Sequence, residues 1–173
     1  MKKIIIFICM LSFSPMAIAQ YDPGAMNYGF SVIKSFHSLN ETGAGVRLEY
    51  ASNCYTTFIG EYNRLFSVGT KEDVESYNEL ALGVNLILFN WYPTTITAGL
   101  GYIGNDSTAF EEIEEDAFLG FRTGDLNHGV QIKIRALHQI SVPVHIFAEF
   151  NVKSLGRRYD TFLVGFSYDF DAR

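Results

Sequence analysis

Strict two-residue alternation of character, sustained over runs of about ten residues, restricts the fold of this chain more than any other feature. From Glu79 to Leu88 one face carries Leu80, Leu82, Val84, Leu86 and Leu88, and the other carries Glu79, Ala81, Gly83, Asn85 and Ile87. From Thr95 to Ile103, Ile96, Ala98, Leu100 and Tyr102 oppose Thr97, Gly99, Gly101 and Ile103. The same division sets Val130, Ile132, Ile134 and Ala136 against Gln131, Lys133, Arg135 and Leu137. It sets Val144, Ile146, Ala148, Phe150 and Val152 against His145, Phe147, Glu149, Asn151 and Lys153. Phe162, Val164, Phe166, Tyr168 and Phe170 likewise oppose Leu163, Gly165, Ser167 and Asp169. One face is apolar and the other is small or polar.

Such strands suit two settings. In a soluble sandwich or lipocalin-like barrel the apolar face packs inward and the polar face meets water. In a membrane barrel the apolar face meets lipid. The polar faces here are rich in Gly, Ala and Ser and poor in charge, unlike a solvated surface. Runs of about ten residues also match the length that crosses a bilayer at a tilt. The aromatic share of 15%, the 15 Gly and the 4 Pro fit either setting, so composition alone does not choose.

The pattern predicts an all-β, eight-stranded, antiparallel up-and-down transmembrane β-barrel. Its strands lie at approximately 26–36, 43–51, 54–65, 74–88, 94–104, 128–138, 143–153 and 159–170. An even number puts both ends of the chain on one side of the membrane. Tight connections at Ala51-Ser52-Asn53, Phe89 to Pro93 and Gln139 to Val142 alternate with longer ones, so the tight ones are expected in the periplasm. A further apolar stretch, Ala117 to Phe121, is placed inside a long outer loop from Asn105 to Asn127, where it can extend a strand above the membrane.

The first residues fit export. Lys2 and Lys3 precede an apolar run from Ile4 to Phe13, and Ala17-Ile18-Ala19 offers a small-residue cleavage site. The run is too short to span a bilayer as a helix. Residues 1–19 are therefore read as a signal peptide and 20–173 as one outer-membrane barrel domain of a Gram-negative bacterium. Loss of the two signal lysines takes the formal charge from −6 to −8, which disfavours nucleic acid as a partner. Cys9 leaves with the signal in a context unlike a lipidation site, and Cys54 remains alone, expected as a tolerated small residue.

Site candidates follow from the inward phase. Arg47, Glu49, Glu61, Glu79, Lys133, Arg135, Glu149 and Lys153 are expected in the lumen as a charge network, with opposite charges paired to hold the strands in register. An eight-stranded lumen is filled by side chains, so transport is not expected. Trp91, Tyr92, Tyr102, Tyr168 and Phe170, with Tyr50, are the candidate aromatics of the two membrane interfaces.

Catalysis in such a barrel would require a nucleophile and base converging at one rim. His138 and Ser141 come nearest, yet they lie at an expected periplasmic turn, and His37 with Ser38 lacks an acid partner. No catalytic set is therefore assigned, and a lipid-modifying enzyme is the alternative. The four His are scattered, so no metal site or cofactor is assigned. The acidic run Glu111 to Asp116 lacks the Gly-punctuated spacing of a calcium loop and reads as a solvated loop.

Several segments resemble the TraO-type conjugative-transposon proteins of the Bacteroides group, in order and spacing over nearly the whole mature length. They are Gly24-Ala25-Met26, Phe58-Ile59-Gly60-Glu61-Tyr62, Ala98-Gly99-Leu100-Gly101-Tyr102 and the terminal Val164-Gly165-Phe166-Ser167-Tyr168-Asp169-Phe170. The resemblance implies a structural or assembly subunit of the conjugative transfer apparatus, with outer-membrane lipids and other envelope proteins as partners and no catalytic residues to carry over. Asp171-Ala172-Arg173 departs from the terminal aromatic on which many barrels end.

Overall fold

The computed structural model describes residues 22–36, 41–67, 76–107, 119–155 and 160–170. Its strands are β1 (Met26–Ser35), β2 (Glu41–Ala51), β3 (Thr56–Ser67), β4 (Tyr77–Trp91), β5 (Thr94–Asn105), β6 (Phe121–Thr123), β7 (Leu126–Ser141), β8 (Val144–Lys153) and β9 (Thr161–Asp169). All neighbours pair antiparallel in the order β5-β4-β3-β2-β1-β9-β8-β7-β6, and an additional β5–β7 pairing closes the sheet. Eight strands form the wall. β6 is a short addition that pairs only with the start of β7, Phe121 opposite His128 and Thr123 opposite Leu126.

The parity expected from the sequence therefore holds, because β6 does not cross. Ala117, Phe118 and the acidic run at 111–116 lie outside the described residues, as do residues 1–19, His37, Ser38 and 171–173. Closure matters energetically because a bilayer offers no water to an unpaired backbone group, and a closed ladder leaves no edge.

Strand ends differ from the expected ones by at most three residues, and two of the differences have a common cause. β4 continues past Leu88 to Trp91 and β7 continues past His138 to Ser141, so the turns are Tyr92-Pro93 and Val142-Pro143. In each strand the register shifts at a β-bulge, between Ile87 and Phe89 in β4 and between Gln139 and Ser141 in β7. A bulge inserts one extra residue and breaks the two-residue phase. Leu88 and Phe89 both face outward, as do Ile140 and Ser141, and a strict alternation ends at that point. At the third tight turn, Asn53 Oδ1 accepts from the backbone N–H groups of Tyr55 and Thr56, each at 2.9 Å, and this Asx turn delays β3 to Thr56. Cys54 sits half-buried within it.

The apolar phase faces outward. Leu80, Leu82, Leu86, Leu100, Ile132, Ile134, Val164 and Phe166 are all exposed on the outer wall, while Glu79, Asn85, Gln131 and Lys133 are buried in the interior. This is the inverse of a lipocalin-like barrel, whose apolar side chains line a cavity. A contiguous apolar exterior of this extent is stable against lipid and not against water.

Small inward residues make room for large ones. A Cβ on Gly165 would fall 2.0 Å from the Phe30 carbonyl oxygen and 2.6 Å from the Phe147 ring. A Cβ on Gly99 would fall 2.2 Å from Asn85 Oδ1 and 2.8 Å from the Lys133 stem. The lumen is thus packed against bare backbone.

Candidate functional site: the ionic lumen and its rims

All eight sequence-selected charged residues lie inside the barrel, none more than 6% exposed. They are joined in three groups. Nearest the tight-turn end, Glu49 on β2 receives two bonds from Arg135 on β7, at 2.7 and 2.8 Å. The Thr57 hydroxyl and the Asn85 amide, the latter at 3.2 Å, also donate to Glu49.

In the middle group, Arg47 donates to Glu61 at 2.5 Å and to Glu149 at 2.9 Å, and its guanidinium lies over the Phe147 ring, 3.9 Å from the centroid. Lys133 Nζ holds the other oxygen of Glu61 at 2.9 Å. Towards the loop end, Lys153 Nζ contacts both oxygens of Glu79 at 2.8 Å, and the Asn63 amide donates to Glu79 at 3.1 Å.

Topology explains why these contacts brace the molecule. Arg47 and Glu61 are direct cross-strand neighbours. The other pairs join strands that are not adjacent: β2 to β7, β2 to β8, β3 to β7 and β4 to β8. Each of these bridges spans the lumen. Four cations meet four carboxylates, so the eight groups sum to zero charge. Charges removed from water need this degree of pairing and additional hydrogen bonding.

The lumen is also closed beyond the charges. At the loop end, Leu155 packs with Ala81 and Ile103, Tyr77 donates to Glu41 at 2.9 Å, and Asn127 bonds Asn105 at 2.9 Å. Asn63, Asn85, Thr57 and Phe147 complete the network although sequence reasoning did not select them; each lies on the inward phase and could have been found there. Glu41 and Leu155 carry no such signal, because one precedes the expected strand and the other follows β8.

The six candidate interface aromatics separate into two sets, and Tyr50 stands exposed at the tight-turn end of β2. Trp91, Tyr92, Tyr168 and Phe170 stand exposed at the same end, where Trp91 stacks on Phe89 at 5.6 Å and Tyr168 meets Phe170 edge-on at 5.4 Å. Tyr102 lies towards the loop end, its hydroxyl 2.6 Å from His128 Nδ1, and Phe121 of β6 stacks on that imidazole. His138 Nδ1 shares a hydrogen bond with Thr94 at 2.8 Å, while Ser141 stands beyond the bulge. Among the described residues no group of three His, Cys, Asp or Glu side chains is placed to hold a metal ion.

No family model matches the sequence, and no curated protein matches it. Solved structures do match its shape. A de novo designed transmembrane β-barrel superposes with a TM-score of 0.60 at 14% identity, covering 86% of this chain and 98% of the design. The N-terminal β-barrel domain of Pseudomonas aeruginosa OprF gives 0.60 at 12% identity, over 86% of this chain and 98% of the domain. Neisserial surface protein A gives 0.58 at 10% identity, over 84% and 96%. The chain therefore has the fold of the small eight-stranded transmembrane β-barrels.

Proposed function

We propose that this chain is exported by a signal peptide at 1–19 and that its residues 20–173 occupy the outer membrane of a Gram-negative bacterium as one barrel. The tight turns and both ends of the chain face the periplasm. In that membrane it serves as a non-enzymatic structural or assembly subunit of an envelope complex, the conjugative transfer apparatus. Its partners are outer-membrane lipids and other proteins of that complex, contacted through the loops and turns.

The observation that carries this reading is the ionic network across the lumen. Bridges from β2 to β7 and from β4 to β8 hold opposite walls together and fill the space through which a solute would pass. A barrel braced in this way offers rigidity and a presented surface rather than a path. The rim residues argue in the same direction, since His138 is engaged by Thr94 rather than by a serine nucleophile. The aromatic groups at the two ends of the strands fix the depth of the barrel in the bilayer. The conjugative assignment rests on the four segments that resemble TraO-type proteins.

Deletion of the coding region from a transferable element that carries it tests the role. Transfer is expected to be lost while sensitivity to detergents and large antibiotics, a measure of envelope integrity, stays unchanged. Transfer at the normal frequency contradicts the proposal.

A further inference from the structure

We infer that the lumen binds a small group of water molecules between β2, β7, β8 and β9, and that this water ties β9 into the ionic brace. The inference rests on the barrel interior alone and is independent of the role proposed above.

Five buried side-chain atoms in this part of the lumen have no hydrogen-bond partner among the described residues: Arg47 Nη1, Gln131 Nε2, Glu149 Oε1, Asn151 Oδ1 and Thr161 Oγ1. None of the five residues is more than 3% exposed. A buried polar atom without a partner is costly, and folded proteins almost always supply one, from the protein or from ordered water. The register gathers the five. Asn151 lies directly opposite Thr161 on β9 and Lys133 on β7. Glu149 is the neighbouring inward residue of β8, and its other oxygen takes the 2.9 Å bond from Arg47. Gln131 is the inward residue of β7 next to Lys133. Cβ atoms directly opposite on one face lie about 5 Å apart, and inward neighbours along a strand about 7 Å, separations that a bridging water spans.

The mixture of atoms selects the ligand. Arg47 Nη1 and Gln131 Nε2 donate, Glu149 Oε1 and Asn151 Oδ1 accept, and the Thr161 hydroxyl can do either. A cation would serve the acceptors, leave both donors unpaired and add charge to eight lumen groups that sum to zero. An anion would do the reverse. Water donates and accepts, and about two waters with roughly three bonds each satisfy the whole set. Turning either amide exchanges one donor for one acceptor and leaves the set mixed.

Position gives this water a structural consequence. Among the described residues the direct ion bridges join β2, β3 and β4 to β7 and β8 and β2 to β3, and none reaches β9. β9 pairs with β1 and so joins the last strand of the wall to the first. Water held between Thr161 and the Asn151 and Glu149 side chains extends the brace to that seam. Buried Ile33 and Leu163 lie in the row of Glu149, with Phe147 beyond them towards the tight turns, so bulk water reaches the group slowly.

Oxygen-17 relaxation dispersion of the full chain refolded in detergent tests the site, because it counts waters held long enough to tumble with the protein. The parent is expected to show a dispersion step. In N151L/T161V, which replaces two of the polar groups by apolar ones of similar size, the step should be smaller by about two waters. Each sample is run boiled and unboiled on a gel, so a chain that forms no barrel is told apart from a barrel without the water. Q131M/T161V, which removes a donor and the hydroxyl, should also show a smaller step and decides the question if N151L/T161V does not fold. No step in the parent, or an unchanged step in a folded variant, overturns the inference. Sodium-23 relaxation enhanced by the parent and not by the variants would assign a cation and overturns the choice of water.

Discussion

At the scale of single residues, the lumen is held by side chains that are stable only together. Arg135 supplies two bonds to Glu49 from the opposite wall, and both groups are buried. Arg135→Met is therefore expected to cost roughly 3 to 5 kcal/mol, because Glu49 is left as an uncompensated buried charge. Replacing Glu49 by Leu as well should recover part of that loss. Equilibrium unfolding in urea in the presence of detergent micelles measures both, and a double variant no more stable than the single one contradicts the pairing. Glycines give a second test. Gly165→Ala drives a Cβ to within 2.0 Å of a backbone oxygen, whereas Gly60→Ala meets Leu82 at an ordinary 3.6 Å. The same unfolding experiment should place Gly60→Ala within about 0.5 kcal/mol of the parent. Gly165→Ala should be severely destabilised or unable to fold.

At the scale of elements, each spanning strand carries a lipid phase and a lumen phase, and this duality made the sequence readable. Val84 lies in the middle of β4 on the outward phase, opposite Phe58 and Leu100. Val84→Arg is expected to cost about 2 to 4 kcal/mol, the penalty for a cation near the bilayer midplane. A change close to zero in the same unfolding measurement would put the residue away from lipid. The inward phase of the eight lumen charges was legible for the same reason, since a period of two leaves only one alternative face. Their partners were not legible. Arg47 and Glu61 become neighbours once the β2–β3 register is known, but Glu49 with Arg135 and Glu79 with Lys153 meet only after the sheet has closed. Local exceptions were hidden too. The bulges at Leu88 and Ile140 break the phase on which the reading depends, and the Leu155 plug lies where no periodicity operates.

At the scale of the whole molecule, the fold inverts the arrangement of a soluble protein, with an apolar exterior and an ion-paired, closed interior. Such a barrel is a rigid element that presents loops and turns at its two ends. Reconstituted in planar lipid bilayers, it is expected to pass no steady ionic current, because cross-lumen bridges and the Leu155 contact occupy its interior. Stable open-channel conductance would contradict a sealed lumen and with it the structural role. All of these expectations depend on the chain residing as a closed barrel in the outer membrane. The most direct test is the gel mobility of the protein in fractionated cells, compared with and without boiling. The protein is expected to be recovered with the outer membrane, and its unboiled form to migrate differently from the boiled one. Recovery in the soluble periplasmic fraction, with the same mobility before and after boiling, would contradict this placement.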